Sequence, residues 1–284
     1  RTAYVDHVAN LLTLSGVKKD SSYQHARSVF TFETRLAMYS RKLADLRDPY
    51  ANYNKMVLAK FQEFNNSINW KNHLTLLGAG KEDTVIVGQP EFFKSLDGSI
   101  GATSLETLKD YLTCHLLNHY SEMLPERFGV ESFSFNKLLS GVKERKPRWK
   151  RVYDQEENAM GELLGQLYVK KYFKPASKKR YERMAVEITD AYRERMKNLQ
   201  WMTDSTKQKA IAKLDAISRK IGYPDQWKDF STLKITDESY LQNMITASRW
   251  WHIYKFNKLG TPVDRKEWYM YPQTYNAYYN PSNN

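Results

Sequence analysis

Met160-Gly161-Glu162-Leu163-Leu164-Gly165-Gln166-Leu167-Tyr168-Val169 is the stretch whose reading decides the architecture. It sits inside a proline-free run from about residue 149 to 172. Ala159, Leu163, Leu164 and Leu167 recur there at three- and four-residue steps, which predicts a long helix with one buried stripe. Pro175 follows its end. The same period extends outward in both directions. Residues 177–199 carry Met184, Ile188, Ala191, Tyr192 and Met196 at helical spacing. Thr203 can cap a further helix holding Ala210, Leu214, Ile217 and Ile221, stopped by Gly222 and Pro224. Another covers about 237–257.

Toward the N-terminus the pattern is again helical. Val5, Val8, Leu11 and Leu12 mark a helix over 3–14, ending at Gly16. Helices are expected over 26–44, over 54–64, and from Trp70 to Leu77. Thr84-Val85-Ile86-Val87 is the one clear β-like run in this half. Thr103-Ser104-Leu105-Glu106 reads as a capping box, with the Thr103 hydroxyl on the amide three residues on and Glu106 reaching back. Leu105, Leu108, Leu112 and Leu116 then mark one helix face. The texture changes after Leu259-Gly260. From Pro262 onward, Tyr275, Ala277 and Tyr279 alternate with Asn276 and Tyr278, a strand-like pattern. The chain is therefore mainly α, with the start of a β-containing region at its C-terminal end.

The 284 residues suffice for one large domain or two smaller ones. Hydrophobic residues at 41% and charged residues at 27% are ordinary for a globular protein, and no apolar run is long enough to span a bilayer. The chain opens at Arg1-Thr2-Ala3-Tyr4 without an initiator Met, and reads as a segment of something longer. The single cysteine, Cys114, can form no intrachain disulfide and lies in an apolar helical stretch, so a buried structural thiol is expected. A net charge of +12 raises the question of nucleic acid. The basic residues, however, alternate with acids along helix faces, as in Arg193-Glu194-Arg195, which is the pattern of a solvated surface. The densest basic patch, Arg145-Lys146 with Arg148-Trp149-Lys150-Arg151, stands alone. Its plain reading is a basic helix start anchored by Trp149.

His115 and His119 stand four apart on a helix and could share a zinc ion. The Glu that should follow the first His as general base is replaced by Leu116, and no acidic third ligand is near. Glu156 and Glu157 point about 100° apart on a helix, a poor acid/base pair. No phosphate loop, dinucleotide fingerprint or serine-hydrolase elbow is present in the sequence.

Four stretches go further. They are Arg148 to Phe173, with the motif quoted first; Ala191-Tyr192-Arg193-Glu194-Arg195 with Asn198-Leu199-Gln200-Trp201-Met202; Lys213-Leu214-Asp215 through Lys220-Ile221-Gly222-Tyr223-Pro224-Asp225; and Pro262-Val263-Asp264-Arg265, Glu267-Trp268 and Pro272 to Pro281. In this order and spacing the chain resembles the neprilysin/endothelin-converting-enzyme family of zinc metalloendopeptidases, especially its bacterial members. The resemblance covers nearly the whole chain and is densest from 148 to 284.

The resemblance implies a two-lobed gluzincin that cuts oligopeptides. Residues 1–255 would be its large helical, substrate-gating lobe. Residues 256–284 would begin the thermolysin-like α/β catalytic lobe. The zinc ligands and the general base would lie outside this segment, so no catalytic or metal residue is expected within it. Asn276 and Ala277 match the pair that holds the substrate backbone, and Tyr278 would line the adjoining subsite. Tyr275 departs from the small aliphatic residue usual before that pair. The implied partners are oligopeptide substrates and the remaining N- and C-terminal parts of the same protein, with no nucleic acid; a membrane tether would lie outside this segment. The single cysteine points to a bacterial-type enzyme of the periplasm, the cell envelope or the secreted space. The competing reading is a non-catalytic helical binding module of the same fold.

Overall fold

The computed structural model describes residues 1–279. The chain divides into two compact units, each drawn from two stretches of sequence. One comprises Arg1–Pro147 and Ile235–Leu259; the other comprises Arg148–Lys234 and the chain from Gly260 on.

The first unit is built on α1 (Thr2–Leu14) and α2 (Lys19–Met38), packed with α6 (Leu105–His119) and α7 (Glu126–Ser140). Val5, Val8, Leu11 and Leu12 of α1 meet Ala26 and Val29 of α2, Cys114 of α6 and Phe128 of α7 in its core. Complete burial of Leu12, at 0% exposure, makes it a centre of that core. The expected α1 is found where its period placed it. The expected 26–44 helix runs seven residues earlier in the chain at its start and stops at Met38. A second cluster joins Leu58 and Phe61 of α3 (Leu58–Gln62) to Val87 of a small two-stranded sheet. Trp70 of α4 (Trp70–Leu76) and Phe93 of α5 (Pro90–Gly101) set their rings on Phe61. From the later stretch, α11 (Tyr240–Phe256) joins this unit; its His252 Nε2 meets the Leu77 carbonyl at 2.8 Å.

The two-stranded sheet corrects one expectation. Residues 54–57 form β1 (Asn54–Val57), antiparallel to β2 (Thr84–Val87), with Asn54 opposite Val87 and Val57 opposite Thr84. The expected 54–64 helix starts only at Leu58. A lone strand leaves a row of unpaired N–H and C=O groups, and Thr84–Val87 obtains its partner from residues whose own pattern is ambiguous. The α6 cap is also shifted by one. Ser104 Oγ accepts the Thr107 amide at 3.2 Å, while Thr103 Oγ1 donates to the Ser99 carbonyl at 2.6 Å.

The second unit holds α8 (Arg148–Tyr172), α9 (Pro175–Lys197) and α10 (Asp204–Asp215). Thr203 caps α10 through the Thr206 amide, as read from sequence. That helix ends at Asp215, so Ile217 and Ile221 lie in irregular chain, not on its face. Helix α8 is broken by Met160, whose φ of −140° and ψ of 24° are not helical. Its buried residues are Ala159, Gly161, Glu162 and Gly165, whereas Leu167 of the expected stripe is exposed. Trp149 is 68% exposed and so does not anchor the start of α8. Residues 260–279 form no strand. A strand needs a ladder partner, and β1 and β2 are the only paired strands among the described residues.

Candidate functional site

In the second unit the chain from Trp268 to Gln273 is fastened to α8. The fastening begins with small residues. A Cβ on Gly161 would fall 2.3 Å from the Tyr271 ring, and one on Gly165 would fall 2.7 Å from Pro272 Cδ. Only glycine lets this segment lie so close to the helix. Gln273 Nε2 donates to the Gly161 carbonyl at 3.0 Å.

Beside Gly161 stands Glu162, 3% exposed. A buried carboxylate must be paired. Its Oε1 accepts the Lys228 backbone amide and its Oε2 accepts the Lys228 ammonium, both at 2.6 Å. The same ammonium donates to the Trp268 carbonyl at 3.0 Å. Burial pushes the Tyr271 phenol above its ordinary range, and the Glu162 and Glu157 charges push the same way.

The opposite wall is the irregular chain after α10. Gly222 takes φ +77° with the Phe173 ring where a side chain would stand. Lys178 of α9 donates to the Tyr223 carbonyl at 2.8 Å and to Asp225 Oδ1 at 2.6 Å, and lies 4.4 Å from the centre of the Tyr223 ring. The hydrogen bond from Lys178 holds Asp225 below the usual carboxylate range. Lys220 donates to the Glu267 carbonyl, tying this wall to the other.

Between the walls opens a cavity of about 480 Å³, lined by Ile217 to Gly222 on one side and Trp268 to Pro272 on the other. Thr274, Asn276, Ala277, Tyr278 and Tyr279 complete its rim. The three residues singled out from sequence, Asn276, Ala277 and Tyr278, are thus brought to one cavity, and all three are exposed. The Ala277 amide donates to Asn276 Oδ1 at 2.8 Å, and the Asn276 amide donates to the Thr274 carbonyl at 3.0 Å. This local hydrogen bonding replaces the expected strand. Burial raises the Tyr269 phenol, helped by its hydrogen bond to Glu267.

A larger cavity, about 630 Å³, lies in the first unit beside Val57, Gln62, Asn69 and Lys71 and touches none of the singled-out residues. His115 Nε2 lies 2.8 Å from Glu33 Oε1, and His119 packs edge-on against Tyr120. Cys114 is buried, and burial pushes its thiol up to about 12. Arg145 of the basic patch is paired with Glu122 and Glu126.

Sequence reading missed Glu162, Lys228 and the Ile217–Gly222 wall. Glu162 carried a usable signal: a lone acid between Gly161 and two leucines. Lys228 carried none, because its partner is 66 residues away.

The sequence model of peptidase family M13 matches residues 1–224. A neutral endopeptidase of Lactobacillus helveticus is 30% identical over 277 residues, 97% of this chain and 43% of that protein. Endothelin-converting enzyme 1 of Rattus norvegicus is 28% identical, over 100% of this chain and 39% of its own length. Mycobacterium tuberculosis zinc metalloprotease Zmp1, solved with an inhibitor, superposes with a TM-score of 0.88 at 32% identity. That match covers 99% of this chain and 43% of the Zmp1 chain. PepO from Lactobacillus rhamnosis shares the fold at a TM-score of 0.91 and 22% identity, over 99% of this chain and 45% of PepO. A mainly helical portion of an M13 peptidase is the class that this fold defines. The chain belongs to peptidase family M13. It spans less than half the length of the relatives it matches.

Membership in the family implies zinc. Among the described residues there is no group of three or more His, Cys, Asp or Glu able to hold a metal ion. The described residues therefore do not fit a zinc site.

Proposed function

We propose that this chain is part of a zinc-dependent endopeptidase that hydrolyses oligopeptides, and that it supplies substrate grip and gating, not the metal. The single observation that carries this reading is that the Asn276–Tyr278 segment and the distant Ile217–Gly222 stretch line one cavity in a chain of family M13. An extended peptide laid along Asn276–Ala277 would exchange main-chain N–H and C=O bonds with this segment, as a strand added to a sheet edge does. The Asn276 side-chain amide offers one more donor and acceptor. For this, the Ala277 amide must leave Asn276 Oδ1 and turn to the peptide. That exchange replaces a local hydrogen bond by an intermolecular one, which makes it cheap. Tyr278 would form one wall of the adjoining subsite.

In this reading residues 1–255 contribute the helical gating lobe and residues 256–284 begin the catalytic lobe. The packing adds Arg148–Lys234 to the same compact unit as the chain from Gly260 on. The zinc ligands and general base are supplied by other parts of the parent protein, of the bacterial type, acting in the periplasm, the cell envelope or outside the cell. No helix among the described residues is long and apolar enough to cross a membrane.

Two measurements test the proposal. The coding sequence downstream of Asn284 should encode His-Glu-x-x-His, and its absence would favour a non-catalytic binding module. In the full-length product, Asn276→Ala should lower kcat/KM on an oligopeptide about tenfold, the scale of one lost hydrogen bond. An unchanged kcat/KM would remove Asn276 from the grip.

A further inference from the structure

The segment that carries Asn276 to Tyr278 has no ladder to hold it. Its place is set upstream, where Trp268 to Gln273 lie on α8. There Glu162 and Lys228 form an ion pair whose side chains are only 4% and 11% exposed. The pair is more than a tie between two elements. Both carboxylate oxygens are used, one on the Lys228 amide and one on its ammonium. The ammonium then reaches a third element through the Trp268 carbonyl. Three parts of the chain, α8, the irregular chain around Lys228 and the cavity wall, meet at one charge pair.

We infer that Glu162 and Lys228 are positioning residues for substrate binding: they hold the Trp268–Gln273 wall, and through it place Asn276, Ala277 and Tyr278 for the peptide. The inference rests on the proposed grip of a peptide by that segment. Neither residue touches the cavity, since the lining holds Trp268 but not Glu162 or Lys228. Their effect therefore passes through the Trp268 carbonyl. Bulk packing is an unsuitable substitute. Glycines at 161 and 165 allow the close approach but cannot set the segment's position along the helix axis, whereas a fully paired buried charge accepts a single geometry. Gln273 is the second pin. Its Oε1 is buried without a hydrogen-bond partner among the described residues, and its Nε2 donates to the Gly161 carbonyl.

The test uses the full-length product with Glu162→Gln, Gln273→Ala and, as a control, Arg145→Met. The control removes a cation of the other unit that is paired with Glu122 and Glu126. Hydrogen exchange over 268–277 is read beside KM and kcat on an oligopeptide. The Thr274 and Asn276 amides are bonded within the segment, so their exchange reports its hold. Glu162→Gln should speed that exchange and raise KM about tenfold while kcat stays within about twofold, the pattern of lost uniform binding. Gln273→Ala should act in the same direction but less strongly, and it covers the case in which Glu162→Gln fails to fold. Arg145→Met should do neither. Unchanged exchange over 268–277 in both test variants overturns the positioning role. So does faster exchange with unchanged KM. A wild-type product that cleaves no peptide would instead sink the proposed function, a failure visible without any variant.

Discussion

Gly161 shows how one missing carbon shapes the cavity. Its place in an apolar helical run suggests nothing more than a weak helix position. In the folded chain it is where the Tyr271 ring rests, and an added Cβ would stand 2.3 Å from that ring. Gly161→Ala should therefore destabilise the second unit by about 1–3 kcal/mol, the cost of overpacking. Urea unfolding with exchange read on α8 checks it; a stability equal to wild type would mean that the ring moves away freely. Cys114 makes the opposite point, since its burial was legible from its apolar neighbours. With its thiol pushed up to about 12, almost none is thiolate at pH 8. Labelling by a thiol reagent at pH 8 should then follow unfolding and accelerate with denaturant. Rapid labelling of the native chain would contradict the burial.

Helices were legible because their signal is local. Repeats of three and four residues mark α1, α8 and α9, and Thr203 marks the cap of α10. Their edges were less legible where two hydroxyls compete. Thr103 and Ser104 both suit a cap, and only the contacts decide that Ser104 takes the Thr107 amide while Thr103 turns back to Ser99. Ser104→Ala should cost about 1 kcal/mol in urea unfolding, and Ser104→Asp should retain most of the stability. Equal loss in both would show that the cap is not the source. A period also says nothing about what covers a face. Leu105, Leu112 and Leu116 on α6, and Met184, Ile188 and Tyr192 on α9, keep helical spacing yet are exposed in this chain. The β1 strand was illegible for a related reason: its partner, β2, is about 30 residues away, and pairing overrides a weak local preference.

At the scale of the whole molecule the chain divides into two compact units. The first is organised around Leu11, Leu12, Val8 and Val29. The second holds its charge pair, its glycine contacts and the cavity. Leu12→Ala should remove about 2–5 kcal/mol from the first unit, the cost of a buried leucine with its residual cavity. Exchange should speed in α1 and α2 while the slow amides of α8 and α10 keep their rates. Equal acceleration in both units would show that they unfold as one.

The sequence by itself determined that this chain is mainly helical, that it resembles the neprilysin and endothelin-converting-enzyme family, and that Asn276, Ala277 and Tyr278 are its candidate peptide-holding residues. The first rests on local periods and caps and the second on motif order, all of which a linear string records; the third is only what the resemblance implies. Only the tertiary structure decided that the 275–279 stretch lies as irregular chain on a cavity rim, that Ile217–Gly222 forms the facing wall, and that Glu162 and Lys228 fasten the segment between them. The physical reason is distance along the chain. A ladder partner, a buried counter-ion and a glycine contact each join residues dozens of positions apart, and only folding brings them within reach of a hydrogen bond.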